Sequence, residues 1–296
     1  MPFLGESAAL LTAVLWSGTS IFFTEASIRV SSLLVNVTRL VLAAILLFFT
    51  VIIFSIPVNL SFNQVLMLVI SGLVGFVFGD TFLFKAFQHI GARISMLLMS
   101  LAPAIAAILA YFFLDEVLSF WAIGGILVTI TGIALVVLYR EEVPNSDYKI
   151  SRIGIFYGFL GALGQAVGLI FAKFAFNEGE INGFWAAFIR VTSAIIVMLP
   201  VMFLIKGLKN PFRVFISEKK AFLFTSIGAF TGPYLGVTLS LVAIVYTYVG
   251  IASTLMGTVP ILMLPMVRFY YKEKLNRISI AGALLAVAGI AMLFLT

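Results

Sequence analysis

One long stretch of this chain is written twice, and this repeat limits the fold more than any other feature. Pro103 and Glu116 stand in the first copy, and Pro260 and Glu273 return 157 residues later without a gap. Other residues keep the same offset, with Gly75, Gly79, Thr81 and Ala86 matching Gly232, Gly236, Thr238 and Ala243. Repetition at a fixed offset over half a chain indicates duplication of one structural unit. We therefore predict two copies of one fold.

The composition places this duplicated fold in a membrane. Of the 296 residues, 62% are hydrophobic and 10% are charged, and the mean hydropathy is +1.20. These values lie far outside those of soluble domains. Apolar runs of roughly 20 residues, enough to cross a hydrocarbon core of about 30 Å as helix, recur along nearly the whole chain. No room is left for a soluble catalytic domain, so we predict an all-α integral membrane protein.

Ten apolar spans can be drawn, five in each copy. They lie roughly at 6–28, 32–54, 64–85, 92–114, 118–139, 152–175, 182–205, 219–242, 249–271 and 276–295. A charged linker follows the fifth span, so we divide the chain into five-helix repeats at 1–145 and 146–296. Because five is odd, the second copy enters the membrane from the opposite side, which makes an inverted repeat. Such a fold has two near-equal states, each open to one side, and this predicts alternating access.

Lys and Arg residues are concentrated in the odd-numbered connections between the spans. Only Lys173 lies near the other face of the membrane. The positive-inside rule places the odd-numbered loops in the cytoplasm and both termini outside. The net charge of +6 is therefore a topology signal and not a nucleic-acid surface. We expect a multi-pass protein of the cell membrane, inner or plasma, surrounded by lipid bilayer and without a nucleic-acid partner.

Residue types that support enzymatic or metal chemistry are scarce. The chain has no cysteine, which excludes disulfides, thiolate metal sites and thiol nucleophiles. The one histidine, His89, lies in a loop without an evident second ligand. Paired carboxylates, a nucleophile with its base, and a phosphate-binding loop are all missing from the pattern. We expect no catalytic residues, no metal and no cofactor, and no use of ATP by this chain alone.

Three charged residues within the spans are candidates for function, because charges in a hydrocarbon region usually face a cavity or a partner. Arg39 and Arg190 are matched by the duplication and lie about 10 Å deep from opposite faces. Each either reaches back towards the interface or contacts a substrate or gate. Asp80 has Val237 as its counterpart. Arg39 can pair with Asp80 or with Glu25 to form a gate, and Asp80 is alternatively a site of proton coupling.

The remaining candidates for the substrate cavity are aromatic and polar side chains on the first, third, sixth and eighth spans. They are Trp16, Ser20, Phe76, Tyr157, Gln165 and Tyr234. Each of them also fits ordinary packing. Pro103 and Pro260 are paired by the duplication and lie inside predicted spans, so we expect two helix bends that line a central cavity.

The glycines of the fifth and tenth spans leave the oligomeric state open. Gly125, Gly132, Gly282 and Gly289 are seven residues apart in each copy. Small residues at such spacings let two helices approach closely. They fit a face between two subunits and packing within one subunit equally well.

The repeated motifs also carry a likeness to a known family. They comprise a Trp16-Ser17-Gly18 turn, Arg39 with Ala43, Ala86 closing the third span, and a proline followed by a glutamate and a helix with glycines seven apart. This pattern resembles the EamA family of the drug/metabolite transporter superfamily, over essentially the whole chain. One departure is Gln165, which stands where the first copy has Trp16. An aromatic contact on both sides of the cavity therefore does not follow from the resemblance.

The resemblance implies a ten-helix inverted-repeat carrier whose cavity is formed mainly by helices one to four and six to nine. Members of that family export amino acids, other small metabolites or toxic organic compounds. The family's repeated proline, glutamate and arginine carry over mostly as structural residues. They are Pro103, Pro260, Glu116, Glu273, Arg39 and Arg190.

We therefore predict a secondary transporter that exports small metabolites, amino acids or related compounds first, by alternating access. Its energy source is a proton gradient or the solute's own gradient. A broad-specificity exporter of drugs or organic cations is the alternative within the same class. From another class, a membrane-embedded enzyme acting on lipid-linked substrates would need clustered His, Asp or Glu, whereas the acids here are scattered. An ion channel is disfavoured because channels usually have rotational symmetry about a pore.

Overall fold

The protein is helical throughout the part of the chain that the structure describes. This structure is a computed structural model, and it describes residues 3–113, 119–138, 151–204, 211–246, 255–272 and 275–294. Helices cover nearly all of these residues, and no strand occurs among them. The prediction of an all-α protein is confirmed for these residues.

Each copy of the repeat contains one short π-helical segment between α-helices. In the first copy the elements are α1 (Leu4–Arg29), α2 (Ser32–Ile53), α3 (Phe62–Gly72), the first π segment (Leu73–Gly79), α4 (Asp80–Met99), α5 (Leu101–Phe113) and α6 (Phe120–Leu138). In the second copy they are α7 (Arg152–Asn177), α8 (Gly183–Leu204), α9 (Pro211–Ser217), α10 (Lys219–Ala229), the second π segment (Phe230–Gly236), α11 (Val237–Tyr246), α12 (Val259–Tyr270) and α13 (Arg277–Phe294).

The helix boundaries repeat with the sequence. Helix α3 and helix α10 both have 11 residues, and the π segment that follows each of them has 7. The second pair starts 157 residues after the first, which is the offset of the sequence repeat. Because π turns are rare and often occur at functional sites, their recurrence at equivalent positions is a specific sign of a common local fold. The division between residues 145 and 146 lies outside the described residues.

Six helical stretches of the described chain are long and apolar enough to cross a membrane. They are Leu4–Arg29, Ser32–Ile53, Phe62–Met99, Arg152–Asn177, Gly183–Leu204 and Lys219–Ser240. Shorter apolar helices are Ala104–Phe113, Ile123–Val136, Val259–Tyr270 and Arg277–Met292. Together these helices make the chain a multi-pass membrane protein.

The longest of these stretches, Phe62–Met99, is interrupted at Gly91. Gly91 has φ 70° and ψ 174°, values outside the helical region. A residue with a Cβ atom adopts such a positive φ only at a steric cost, whereas glycine does so readily. The interruption falls between the predicted third and fourth spans, which end near residue 85 and begin near residue 92.

Both prolines that the sequence marks as helix bends lie in the first turn of a helix. Pro103 is the third residue of α5, which follows α4 after Ser100, and Pro260 is the second residue of α12. In the first turn a backbone N–H has no partner within the helix, so a proline there costs no hydrogen bond. The discontinuity in each copy therefore lies just before the proline, between two helical segments, and not within a helix.

The two copies are interleaved. Helix α1 packs against α10, the second π segment and α11, while α7 packs in the same manner against α3, the first π segment and α4. Helix α2 faces α8, and the most extensive contact joins α6 with α13. The helices of each copy therefore pack extensively against helices of the other.

The glycines of the fifth and tenth spans lie in the contact between α6 and α13. A Cβ atom added at Gly282 would come within 2.6 Å of Val136, and one added at Gly289 within 2.6 Å of the Gly125 carbonyl oxygen. Such approaches bring the two backbones together. Of the two uses that the sequence allows, these glycines serve packing within one subunit.

Candidate functional site

A buried ion pair joins α2 to α4. The Arg39 guanidinium donates through Nη2 to Asp80 Oδ2, and both residues are buried. The rings of Phe23 and Phe84 flank the guanidinium, with their centroids 5.4 and 4.8 Å from its Cζ. Cation–π contacts of this kind help to stabilise a charge that has left water. The pair of Arg39 with Asp80 is one of the two that the sequence allows.

The other acid available to Arg39 is engaged elsewhere. Glu25 pairs with Arg29, one helical turn further along α1, at an Oε2 to Nη1 distance of 2.5 Å. Residues four apart lie on the same face of a helix, so this pair needs no tertiary contact. Glu25 is consequently a local partner of its own helix and not part of the Arg39 site.

Asn36 completes the surroundings of Arg39. Its Oδ1 accepts hydrogen bonds from Arg39 Nε at 3.0 Å and from Nη2 at 2.8 Å, and its Nδ2 donates to the Phe76 carbonyl oxygen at 3.4 Å. Asn36 is fully buried. The sequence analysis missed this residue. The available signal was a polar side chain three positions before an arginine, within an otherwise apolar run.

Gln165 brings the second copy to the ion pair. From α7, its Nε2 donates to Asp80 Oδ1 at 2.6 Å and to the Gly75 carbonyl oxygen at 3.2 Å. This reach depends on close packing, because a Cβ at Gly164 would lie 2.5 Å from Gly79 Cα. Helix α7 therefore rests with its backbone directly on the first π segment, and Gln165 meets the carboxylate.

The first π segment also supplies an acceptor for this contact. Its wide turn has the Asp80 N–H donating to the Gly75 carbonyl oxygen five residues earlier. The same oxygen accepts from Gln165. The π turn thus holds Asp80 at the start of α4. At the same point it presents the Gly75 carbonyl group to the second copy.

Arg190 approaches this group from α8 but has a different environment. Its Cζ lies 4.9 Å from the centroid of the Phe76 ring, and its Nη2 faces Gly75. The Nε atom is buried without a hydrogen-bond partner. Within the described ranges Arg190 forms no ion pair, although Asp80 lies close enough to attract it electrostatically.

We refer to Asn36, Arg39, Asp80, Gln165 and Arg190 as the charged cluster. It combines two arginines with one aspartate and therefore holds one positive charge in excess. Asn36, Arg39 and Asp80 are buried, whereas Gln165 and Arg190 are only partly buried. Accessibility within the cluster thus increases towards Arg190. Charges at this depth are costly in a membrane and usually mark the path of a solute or ion.

Two of the predicted cavity residues lie on α1 and face the other copy away from the charged cluster. The Trp16 indole nitrogen packs against Gly236 in the second π segment. Ser20 is buried, donates to the Ser17 carbonyl oxygen at 2.7 Å and lies 3.2 Å from the sulfur of Met263 in α12. Both side chains connect α1 to the second copy.

The two predicted tyrosines also lie outside the charged cluster. Tyr157 packs against Phe82 and His89, with ring centroids 5.6 and 5.5 Å apart. The Tyr234 hydroxyl lies 3.0 Å from Thr50 Oγ1, in a contact between the second π segment and α2. Of the nine predicted cavity residues, the structure joins Arg39, Asp80 and Gln165 by hydrogen bonds and brings Arg190, stacked on Phe76, close to them.

A pocket of ≈ 670 Å³ lies beside the charged cluster. The start of α2, the first π segment, the start of α4 and the second half of α8 form its walls. Most of the lining is apolar, and Ser31, Ser32, Thr81 and Lys85 supply its polar groups. Met198 forms part of the wall and also contacts Asn36, with 3.7 Å between its sulfur and Nδ2. Its size lies within the usual range for small-molecule sites.

A duplicated helical membrane fold with a charged cluster between its two copies is typical of a membrane transporter. The model of the EamA-like transporter family matches residues 3–138 and 152–295, which are the two copies of the repeat. The chain belongs to this family, and the resemblance drawn from its motifs is confirmed.

The chain is also similar to a curated transporter and to a solved structure. The probable magnesium transporter NIPA7 of Arabidopsis thaliana is 29% identical over 116 residues, which cover 38% of this chain and 36% of that protein. The match thus spans little more than a third of the relative's length. A solved crystal structure matches this chain with a TM-score of 0.59 at 17% identity, and the match covers 98% of this chain and 97% of the other. At that identity the likeness shows the fold alone.

Proposed function

We propose that this protein is a secondary transporter that exports small metabolites, amino acids or related compounds first, by alternating access between two inverted five-helix repeats. The charged cluster is the observation that carries the proposal. It lies where the copies meet, with Arg39 and Asp80 from the first and Gln165 and Arg190 from the second. Substrate sites of inverted-repeat transporters lie at the repeat interface near the middle of the bilayer.

The depth of the two arginines supports this role. Arg39 is the eighth residue of α2 and Arg190 the eighth of α8, and both helices have 22 residues. At a rise of 1.5 Å per residue, each arginine lies about 5 Å from the middle of its helix. Positions this deep are too far inside for a side chain whose only role is at the membrane surface.

The hydrogen bonds of Asp80 support a gate. They connect α2, α4 and α7, and the hydrogen bond with Gln165 is the one that joins the two copies, so the copies cannot separate along this line unless that bond breaks. We propose that these contacts close one side of the carrier. With the odd-numbered loops in the cytoplasm and both termini outside a cell membrane, the closed side is the cytoplasmic one. Asp80 is then the candidate for proton coupling.

A second candidate function is a broad-specificity exporter of amphipathic organic compounds. The pocket beside the charged cluster favours it, because its mostly apolar walls suit the apolar body of such a molecule. Magnesium, which the name of the relative suggests, is less compatible with this site. Mg²⁺ prefers carboxylate oxygens, and Asp80 is already bonded to Arg39 and Gln165 in a cluster with excess positive charge.

The experiment that tests the proposal is uptake of labelled amino acids into proteoliposomes, with and without an imposed pH gradient. The native chain is compared with Asp80→Asn, and with Glu178→Gln as a control that removes an exposed carboxylate outside the cluster. We expect gradient-driven uptake in the native and control proteins and none in folded Asp80→Asn.

Each other result changes the proposal in a defined way. Uptake that ignores the gradient makes the protein a facilitator and leaves Asp80 a structural partner of Arg39. Absence of uptake for every amino acid removes the amino-acid assignment. In that case the same vesicles are tested with labelled organic cations, and transport of those compounds establishes the second candidate.

A further inference from the structure

We propose that Arg190 binds the carboxylate of the transported solute, in the space beside Gly75. This inference rests on the proposed transport function and names the chemistry of its substrate. The reasons lie in the partners that Arg190 has lost, in its incomplete burial and in the charge of the cluster.

The duplication preserves the arginine but not its partners. Asn36 and Asp80 satisfy Arg39 in the first copy. At the corresponding positions of the second copy stand Ala187 and Val237, neither of which can bond to a guanidinium. Arg190 therefore keeps the position and the charge of Arg39 without the groups that neutralise it.

A buried cation without a counter-charge is costly, and the cost is greatest in a membrane interior. The Nε of Arg190 is buried without a partner, while the residue as a whole stays partly accessible. In the described part of the chain no carboxylate pairs with it. A ligand that brings one negative charge removes this cost, which explains why a charged residue is kept here.

The surroundings of Arg190 leave its edge open. Phe76 covers one face of the guanidinium, so a ligand approaches in the plane where the N–H groups point. Outside its own stretch of helix, a Cβ added at Gly75 would meet Arg190 Nη2 at 3.4 Å and Gln165 Oε1 at 3.8 Å. The point beside Gly75 therefore accepts an added atom without a clash and lies between a charged donor and an acceptor.

This arrangement fits a carboxylate, and an amino acid in particular. The planar guanidinium donates two parallel hydrogen bonds to a carboxylate. Gln165 Oε1 can accept a hydrogen bond from an amino group on the same solute. One monoanionic group also balances the single excess positive charge, whereas a divalent cation or an organic cation would add to it.

Ligand-induced thermal stabilisation of the purified full-length protein in detergent tests the inference. Two matched series serve as probes, built on the leucine and phenylalanine skeletons. Each contains the amino acid, the acid that lacks the amino group, and the amide that lacks the carboxylate. Inorganic phosphate and Mg²⁺ are measured beside them. We expect the acids and amino acids to raise the melting temperature and the amides and Mg²⁺ to leave it unchanged.

Variants connect the effect to Arg190. Arg190→Gln should weaken binding of the acids about 10- to 100-fold. Arg190→Lys should weaken it less, since the positive charge remains although the two parallel N–H donors of the guanidinium are lost. Without ligand, Arg190→Gln should melt no lower than the native protein, because it removes an unpaired charge. A structural arginine would give the opposite result.

Gly75→Ala and Gly124→Ala form a matched pair. An added Cβ at Gly75 fits without a clash but stands beside Arg190 Nη2, whereas at Gly124 it meets only the Met292 side chain at 3.5 Å. We expect weaker binding of the acids in the first variant alone. Equal weakening in both would show that the effect is not local to Arg190.

The inference is overturned if no carboxylate probe stabilises the protein, if the amides or Mg²⁺ stabilise it as well as the acids, or if Arg190→Gln binds the acids unchanged. Stabilisation by phosphate alone, lost in Arg190→Gln, would show that Arg190 binds a phosphate group and not a carboxylate. These results are separate from the transport assay. Binding of the acids without flux would support the anion site and contradict the proposed transport function. Flux of cations alone would support the transport function and contradict the anion site.

Discussion

The surroundings of the two π segments have the same backbone plan and different chemistry. The first holds Asp80, which bonds to Arg39 and Gln165. The second has Val237 in place of the aspartate, and its polar contacts are uncharged, between Tyr234 and Thr50 and between Thr231 and Thr19. The duplication has therefore kept the framework and the arginine twice but the aspartate once. The proposed substrate site is therefore asymmetric even though its scaffold is repeated.

The two helices that pack on the π segments, α7 on the first and α1 on the second, also differ. Helix α7 presents glycines, so that Gly164 lies against Gly79 backbone to backbone. Helix α1 presents side chains instead, and Thr19 fills the space at Gly232, where an added Cβ would lie 2.6 Å from its methyl group. Close backbone approach in the first region lets short polar groups meet across the copies. In the second region the polar groups that meet across the copies are uncharged hydroxyls, such as those of Thr19 and Thr231 at 2.7 Å.

The largest effect should follow from making the first region chemically like the second. Asp80→Val leaves Arg39 buried without a counter-charge, and removal of one partner of a buried pair costs about 3–5 kcal/mol. We expect unfolding in detergent to show a loss of this size. The double variant Asp80→Val with Arg39→Leu should recover most of it, because an apolar pair can replace a buried ion pair. Additive losses in a double-mutant cycle would contradict the coupling.

The duplication and the helical class followed from the sequence because they depend on spacing and composition. The fixed offset between Pro103 and Pro260 recurs in the helix boundaries, and Gly91 interrupts the helix between two predicted spans. The pairing of Arg39 with Asp80 was one of two alternatives, since a charge in a membrane needs a partner and few acids are available.

Which other side chains meet in the site depends on the rotation of each helix about its axis. No pattern in this sequence indicates that rotation. A helix that is apolar on all sides has no polar stripe to show which residues face the interior. For this reason Asn36 was overlooked on α2, and Trp16 and Tyr234 were grouped with Gln165 although they pack elsewhere. The role of Gln165 itself depends on Gly164, whose contact with Gly79 joins parts of the chain that are distant in sequence.

The backbone contact of the first region offers an intermediate effect. In Gly164→Ala the new Cβ would lie 2.5 Å from Gly79 Cα, where no flexible side chain can yield. Overpacking of this kind costs about 1–3 kcal/mol. We expect a lower melting temperature and, because α7 is pushed off the π segment, a weaker contact of Gln165 with Asp80. Gly124→Ala is the control, and an equal loss there would show that glycine packing matters generally and not through this contact.

The smallest effect should come from removing the hydrogen bond between Tyr234 and Thr50 in the second region. Tyr234→Phe removes the hydroxyl that faces Thr50 and leaves the ring packing against Phe230, whose centroid is 5.6 Å away. A neutral hydrogen bond contributes about 0.5–1.5 kcal/mol, so the melting temperature should fall slightly. Uptake into proteoliposomes should stay at the native level, because the charged cluster is untouched. If Tyr234→Phe lost transport while Gln165→Leu kept it, the substrate path would run through the second region, and the asymmetry between the two π segments would have the opposite functional meaning.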